Sequence, residues 1–233
     1  MLIKQRLEDV FLQFRHEYKF ILNHSEYIEL RNKLRTILDT DSNTNINGEY
    51  IVHSLYFDNL YDKALNEKIN GVNNREKFRI RFYNNDYSFI KLEKKTKVNG
   101  MTYKISTPIS KEECERIINN ELNWMIHSDR ELIKELYVKM KTQLLKPKTI
   151  VEYIREPFVY EKGNVRITLD RNIRTSINSI DLFSANTIPV GSNEIILEVK
   201  YDDFLPGFIK NIVNLKNKNT IAFSKYAQCR IYN

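Results

Sequence analysis

Residues 78–96, FRIRFYNNDYSFIKLEKKT, contain two runs in which charged and apolar side chains alternate. Arg79 and Arg81 sit between Phe78, Ile80 and Phe82, and Lys91, Glu93 and Lys95 are interleaved with Ile90 and Leu92. Successive strand residues point to opposite faces. Each run therefore predicts a strand with one apolar face and one almost wholly charged face. A sheet face paved with arginine and lysine needs a reason, and finding it decides the fold.

The same rule holds further along the chain. In RHEYKFIL (15–22), Arg15, Glu17 and Lys19 share a side, and EYIVHSLYFD (49–58) reads as another strand. Tyr153 and Arg155 share a side of KTIVEYIREPFVY, as do Arg166, Thr168 and Asp170 of NVRITLDRNIRT. In SNEIILEVKYD, Glu194, Ile196, Glu198 and Lys200 oppose Leu197 and Val199. One such strand would be an ordinary exposed face. Repetition argues otherwise, because the polar sides are cationic at RIR and REPF and carry spaced glutamates at EYK, KLEKK and LEVK. If about eight such strands close into a barrel, the charged faces converge on a lumen. Crowded like charges would cost several kcal/mol there unless an anion, a metal or water compensates. Polyphosphate is an anion of the required charge density.

Helices separate the strands. Ser25–Leu38 can present Ile28, Leu30, Leu34 and Leu38 as a stripe, and DNLYDKALNEKING reads as a short helix capped by Asp58 and ended by Gly71. Two later helices open with SxxE boxes, Ser110 with Glu113 and Ser128 with Glu131, and bracket Trp124. KVNGMTYKIS predicts a turn and a further strand, residues 206–217 a helical stretch, and DTDSNTNINGE (39–49) a flexible loop.

Length and composition set the bounds. With 233 residues, 42% of them hydrophobic, the chain can bury a core as a single domain. Cys114 and Cys229 are far apart with no metal-ligand spacing, which predicts reduced thiols. No apolar run approaches the roughly 18–20 residues of a membrane span, and MLIKQRLEDVFLQF is too interrupted by charge for a signal peptide. A cytoplasmic location is expected. The net charge of +7 favours an anionic partner. His16, His24, His53 and His127 form no HExxH, and neither GxxxxGK[ST] nor GxGxxG occurs. Aromatic residues interleave with basic ones, but positions such as Phe82 and Phe89 fall on apolar strand faces, so core packing is expected rather than nucleic-acid binding.

Eight segments in order, EYKF, SLYFD, KFRIRFY, LEKKT, YIREPF, VRITLD, ILEVK and FSKY, resemble the VTC polyphosphate polymerase domain of the triphosphate tunnel metalloenzyme superfamily, relatives of the CYTH domains. The resemblance covers roughly residues 13–230 and implies an α+β fold: an antiparallel eight-stranded β-tunnel with helices on the outside. It also implies one domain over 1–233 with residues 1–12 as a helical extension. The implied reaction is transfer of the terminal phosphate of a nucleoside triphosphate onto polyphosphate, with a divalent metal, Mn or Mg. By the same resemblance Lys19, Arg79, Arg81, Lys95, Arg155, Arg166 and Lys225 match catalytic, phosphate-binding cations, and Glu198 matches the metal carboxylate. Strand parity adds Glu17 and Glu93 as supporting carboxylates that hold metal or pair with cations. It leaves Lys91 and Lys200 able to face the tunnel and turns Lys94 outward into solvent. A triphosphatase in the same tunnel and a non-catalytic polyphosphate-binding module stay open, as does the oligomeric state. The glutamates favour catalysis, since carboxylates repel a polyanion held for binding alone.

Overall fold

The structure is a computed structural model and describes residues 14–184, 186–191, 193–213 and 219–232. The helical extension expected at 1–12 lies outside the described residues. In chain order the strands and helices are β1 (His16–Leu22), α1 (His24–Ile37), β2 (Asp39–Thr40), β3 (Tyr50–Asp58), α2 (Lys63–Ile69), β4 (Arg75–Tyr83), β5 (Asp86–Val98) and β6 (Met101–Ile109). There follow α3 (Lys111–Ile118), α4 (Glu131–Thr142), β7 (Lys146–Tyr160), β8 (Val165–Ser176), β9 (Thr187–Pro189), β10 (Ile195–Tyr201), α5 (Gly207–Val213) and α6 (Lys225–Cys229).

Eight strands form one curled antiparallel sheet in the order β1-β10-β8-β7-β3-β4-β5-β6, with β2 and β9 added beside β7 and β8. The curl brings the end strands together: the Arg15 amide donates to the Thr102 carbonyl at 3.1 Å, an isolated bridge between the start of β1 and β6. The opening segment makes a hairpin at Asn84 and Asn85, both at positive φ (50° and 59°), as the tightest hairpin turns require. Register pairs Arg79 with Glu93 and Lys77 with Lys95. Period-two alternation thus puts the charges of both strands on one face, as expected.

That face lines the tunnel, and much of the apolar packing lies outside it. Leu55, Ile80, Phe82, Ile90 and Leu92 pack under Cys114, Ile117, Ile133 and Leu136 of α3 and α4. On the far side Leu30 and Leu34 of α1 and Ile209 of α5 cover Ile167, Leu169, Leu197 and Val199. Full burial of each such aliphatic side chain contributes about 1.5–3 kcal/mol, so the helices hold the curl from without. Elsewhere Tyr226 and Cys229 of α6 pack on Val52, Val151 and Ile196. No helix among the described residues is long and apolar enough to cross a membrane.

Several local expectations need correction. Tyr27, not Ile28, completes the buried face of α1, and Ile28 is exposed. Asp58 ends β3 rather than starting α2, yet its carboxylate still caps that helix, accepting the amides of Ala64 (2.8 Å) and Leu65 (3.1 Å). The Ser110–Glu113 capping box is present, but α4 starts from Arg130, and Ser128 accepts from the Arg130 amide instead. The 39–49 segment is pinned, because β2 pairs with β7 and Arg35 donates to the Asn47 carbonyl. Phe89 is exposed, whereas Phe82 is buried. Both cysteines are buried, and the Cys229 thiol faces the Arg174 carbonyl.

Candidate functional site

The inward faces enclose a cavity of about 610 Å³. Fourteen of its described lining residues are Lys or Arg and three are Glu, so the bore has a large excess of positive charge. Lys19, Arg79, Arg81, Lys95, Arg155, Arg166, Lys200, Lys225, Glu17 and Glu198 all line it. Lys91 and Glu93 do not. The Lys91 ammonium lies 4.3 Å from the Phe89 ring centroid, beyond the cavity. Lys94 points outward as expected, but it is buried beneath α4 and paired with Glu135 at 2.6 Å, so it is not a solvated lysine.

The wall is organised as clusters built on strand register. The first joins β4 to β5 and β6. Arg79 binds Glu93 through Nε (2.7 Å) and Nη2 (2.6 Å) and donates from Nη1 to the Tyr56 hydroxyl at 2.9 Å. The other oxygen of Glu93 takes Lys104 at 2.7 Å. With both oxygens held, Glu93 serves as a counter-ion. Beside it Arg81 is 5% exposed and donates to Ser54 (2.9 Å) and Tyr153 (3.2 Å), with no carboxylate partner among the described residues.

The second cluster spans β1, β10 and β5. Lys19 sits between Glu17 (2.9 Å) and Glu198 (3.2 Å), Lys95 reaches Glu17 and Lys200 reaches Glu198. Burial opposes the charged form of Glu17, but Lys19, Lys95 and Lys200 outweigh both burial and Glu198, holding its carboxyl well below the usual range. Glu198 is likewise buried and held low by Lys200 and Lys19. Burial disfavours the Lys19 ammonium too, yet the two glutamates raise its pKa. The third cluster centres on fully buried Asp170, which accepts a bidentate pair from Arg155 (2.6 and 2.7 Å) and Lys225 at 2.6 Å. Arg166 meets Asp41 at 2.6 Å and the Tyr50 hydroxyl at 2.9 Å.

Two groups have shifts of direct chemical interest. Lys77 makes no ion pair among the described residues and lies 5.1 Å from the Tyr56 ring centroid. Burial, then Lys95, Arg79 and Lys19, bring its pKa down to about 7, against the opposing pull of Tyr56. Burial would raise the Tyr56 phenol, but Arg79, Lys77 and Arg81 lower it to about 7.

Lys77 and Arg75 were legible in principle, since they continue the alternation of Arg79 and Arg81 toward the start of REKFRIRFY, and Lys97 and Lys104 follow the same parity. Asp170 was placed on the charged side but given no role. Asp41 and Lys68 carry no strand-period signal. Asp41 lies in a connection and Lys68 on a helix, so only folding brings Asp41 to Arg166 and Lys68 to the tunnel.

Residues 14–232 match the VTC domain family. The chain belongs to that family. Two solved structures share the fold of this VTC domain. One, a Bacillus halodurans protein provisionally described as an adenylate cyclase, is 13% identical, with 80% of this chain and 81% of that one covered and a TM-score of 0.50. A conserved hypothetical protein from Pyrococcus furiosus is 12% identical, with 92% and 99% covered and a TM-score of 0.51. No curated protein matches in sequence. The VTC domain thus has the triphosphate-tunnel fold, with the antiparallel eight-stranded sheet that the family resemblance implied.

Among the described residues no three His, Cys, Asp or Glu side chains gather as a metal cage. The carboxylates present nevertheless fit a divalent ion that arrives with phosphate. Glu17 and Glu198 are neighbours across Lys19, and Oε1 of each is buried against an ammonium, Lys19 at 2.9 Å for Glu17 and Lys200 for Glu198, so two ionised carboxylates stand side by side where cations are already held. One or two carboxylates with substrate phosphates completing the shell is the usual arrangement for Mg²⁺.

Proposed function

We propose that this VTC domain is a metal-dependent polyphosphate polymerase that moves the γ-phosphoryl group of a nucleoside triphosphate onto a polyphosphate chain inside the tunnel. The observation that carries this reading is the cation excess of the bore, with Arg81 and Lys77 left without a carboxylate partner among the described residues. Phosphoryl transfer asks for in-line positioning and for cations around the equatorial oxygens rather than covalent help. The Arg81 fork can grip phosphate oxygens through paired hydrogen bonds and stays charged at any working pH. Arg155, Lys225 and Arg166 hold the neighbouring phosphates, and their carboxylates Asp170 and Asp41 fix the donor angles. Lys19, Lys95 and Lys200 neutralise the triphosphate once it displaces their glutamates' hold. Glu198 and Glu17 would hold the metal, Mn²⁺ or Mg²⁺, which when bound offsets the charge of the donor phosphates. In the transfer, an oxygen of the chain terminus forms a bond to the γ-phosphorus as the β–γ bridging oxygen departs with its electron pair on the nucleoside diphosphate. A nucleoside triphosphate donor fits a cytoplasmic site.

The test is incubation of the purified protein with ATP and Mn²⁺ or Mg²⁺, with products resolved by length. Lengthened phosphate chains are expected, and Arg81→Ala and Glu198→Ala should each lower the rate by about 10²–10³-fold. Release of orthophosphate alone would replace the polymerase with a triphosphatase, and binding without turnover would leave a polyphosphate-binding module.

A further inference from the structure

One end of the tunnel carries cations that the transfer chemistry does not use. Arg75 begins β4, Lys97 closes β5 just before the Asn99–Gly100 turn, and Lys68 reaches in from α2. Gly100 lines the cavity beside them, so this is a mouth of the bore. None of the three makes an ion pair among the described residues: Lys68 donates to the Ala222 carbonyl and Arg75 to the Val72 carbonyl. The carboxylates nearby are committed, Glu17 to Lys19 and Lys95, and Glu76 to Lys139. The cost of this gathering is visible in their titration. Burial and then Arg75, Lys19 and Lys97 bring Lys68 down to about 8, and burial with Arg75 lowers Lys97. Deeper in the bore most cations are paired, Arg79, Arg155, Arg166 and Lys225 each meeting a carboxylate, and Arg81 and Lys77 are left for the reacting phosphates.

We propose that Lys68, Arg75 and Lys97 form a chain-holding subsite at this mouth, which takes the phosphates of a linear polyphosphate that lie beyond the reacting ones. The inference rests on the reading of the tunnel as a phosphate site and adds the direction in which the chain lies. It also commits to an unbranched phosphate chain rather than a nucleic acid. The cations converge inside a walled bore of about 610 Å³ and not on a flat face, and a bare phosphate chain brings the most charge into the least width. Three cations without an ion-pair partner among the described residues, gathered at one end of the bore, act together on a chain long enough to reach them, while a triphosphate seated deeper gains little.

The experiment measures affinity for tripolyphosphate and for long polyphosphate by competition with a fluorescent phosphate chain. It compares the unaltered protein, the triple variant Lys68→Gln, Arg75→Gln, Lys97→Gln, and a control that loses the same charge from the outer helices, Lys33→Gln, Lys134→Gln, Lys141→Gln. The unaltered protein and the control are expected to hold long polyphosphate about tenfold or more tighter than tripolyphosphate. The triple variant should lose that preference and keep its tripolyphosphate affinity, with a melting temperature no lower than that of the unaltered protein, since the cations it removes are held against mutual repulsion. The subsite is overturned if the triple variant retains the length preference, if the control loses it equally, or if a single-stranded oligonucleotide of equal charge binds as tightly and depends on the same residues. Should the unaltered protein bind neither phosphate, the tunnel reading and the subsite fall together. Should the mouth sort chains by length while ATP yields no product, the subsite stands and the polymerase assignment falls.

Discussion

At the scale of single residues, the tunnel wall separates cations that hold one another's counter-ions from cations held against their own repulsion. Asp170 belongs to the first kind. Neutralising it by Asp170→Asn leaves Arg155 and Lys225 buried at about 9% side-chain exposure without their carboxylate. Breaking one side of such a buried pair costs about 3–5 kcal/mol, and a urea titration of the variant should show that loss. Lys77 belongs to the second kind. Its pKa is about 7 folded against an ordinary value of 10.5, so the unfolded chain binds more protons between those limits and stability rises with pH across them. Tyr56, also lowered to about 7, acts in the same direction up to its ordinary value of 10.0. Lys77→Met is therefore expected to raise the Tm of the ligand-free protein, and to raise it more at pH 6 than at pH 9. Calorimetry at the two pH values checks this; an equal rise at both would show that Lys77 carries no titration penalty.

At the scale of elements, alternation was enough to locate the strands, because a strand exposes its period directly in the sequence. The parity argument put Arg79, Arg81, Lys95, Arg155, Arg166, Lys200 and Glu198 on one face, and all of them line the bore. It failed where a side chain's surroundings come from another element. Lys94 was read as solvated because nothing in its own strand shows that α4 covers it with Glu135. Lys91 has the right parity, but the cavity does not extend to it. The Asp58 cap and the Ser110–Glu113 box were both legible in the sequence, whereas the Ser128–Glu131 box does not form. Ser110 and Glu113 satisfy each other within four residues, whereas Asp58 caps α2 from the end of β3 while accepting the Tyr226 hydroxyl at 2.6 Å. Asp58 thereby ties α2 to α6, both of which contribute to the tunnel lining. Asp58→Ala should cost about 2–3 kcal/mol, more than Ser110→Ala at about 1 kcal/mol. Denaturant midpoints of the two variants test that order.

At the scale of the whole molecule, the barrel reverses the usual distribution of a small protein. Much of its apolar packing lies outside the curled sheet, under α1 and α5 on one side and α3 and α4 on the other, while its charge lies within. Because Glu17, Glu93, Glu198 and Asp170 each already meet a cation, the fold does not depend on a metal for neutralisation. Chelation with EDTA should accordingly abolish phosphoryl transfer and leave the Tm unchanged, a pair of outcomes that one activity assay and one melting curve decide.

The sequence by itself determined the alternation of charge and apolarity and which strand residues could share a lumen, because both follow from backbone geometry over a few residues. The tertiary structure alone decided that β1 meets β6 at Arg15 and Thr102, that Glu93 is spent on Arg79 and Lys104, that Asp41 meets Arg166, and that Lys68 reaches the bore. Those facts depend on where distant segments arrive when the sheet curls. Electrostatic partnership within a few ångströms is set by that arrival and leaves no period in the chain.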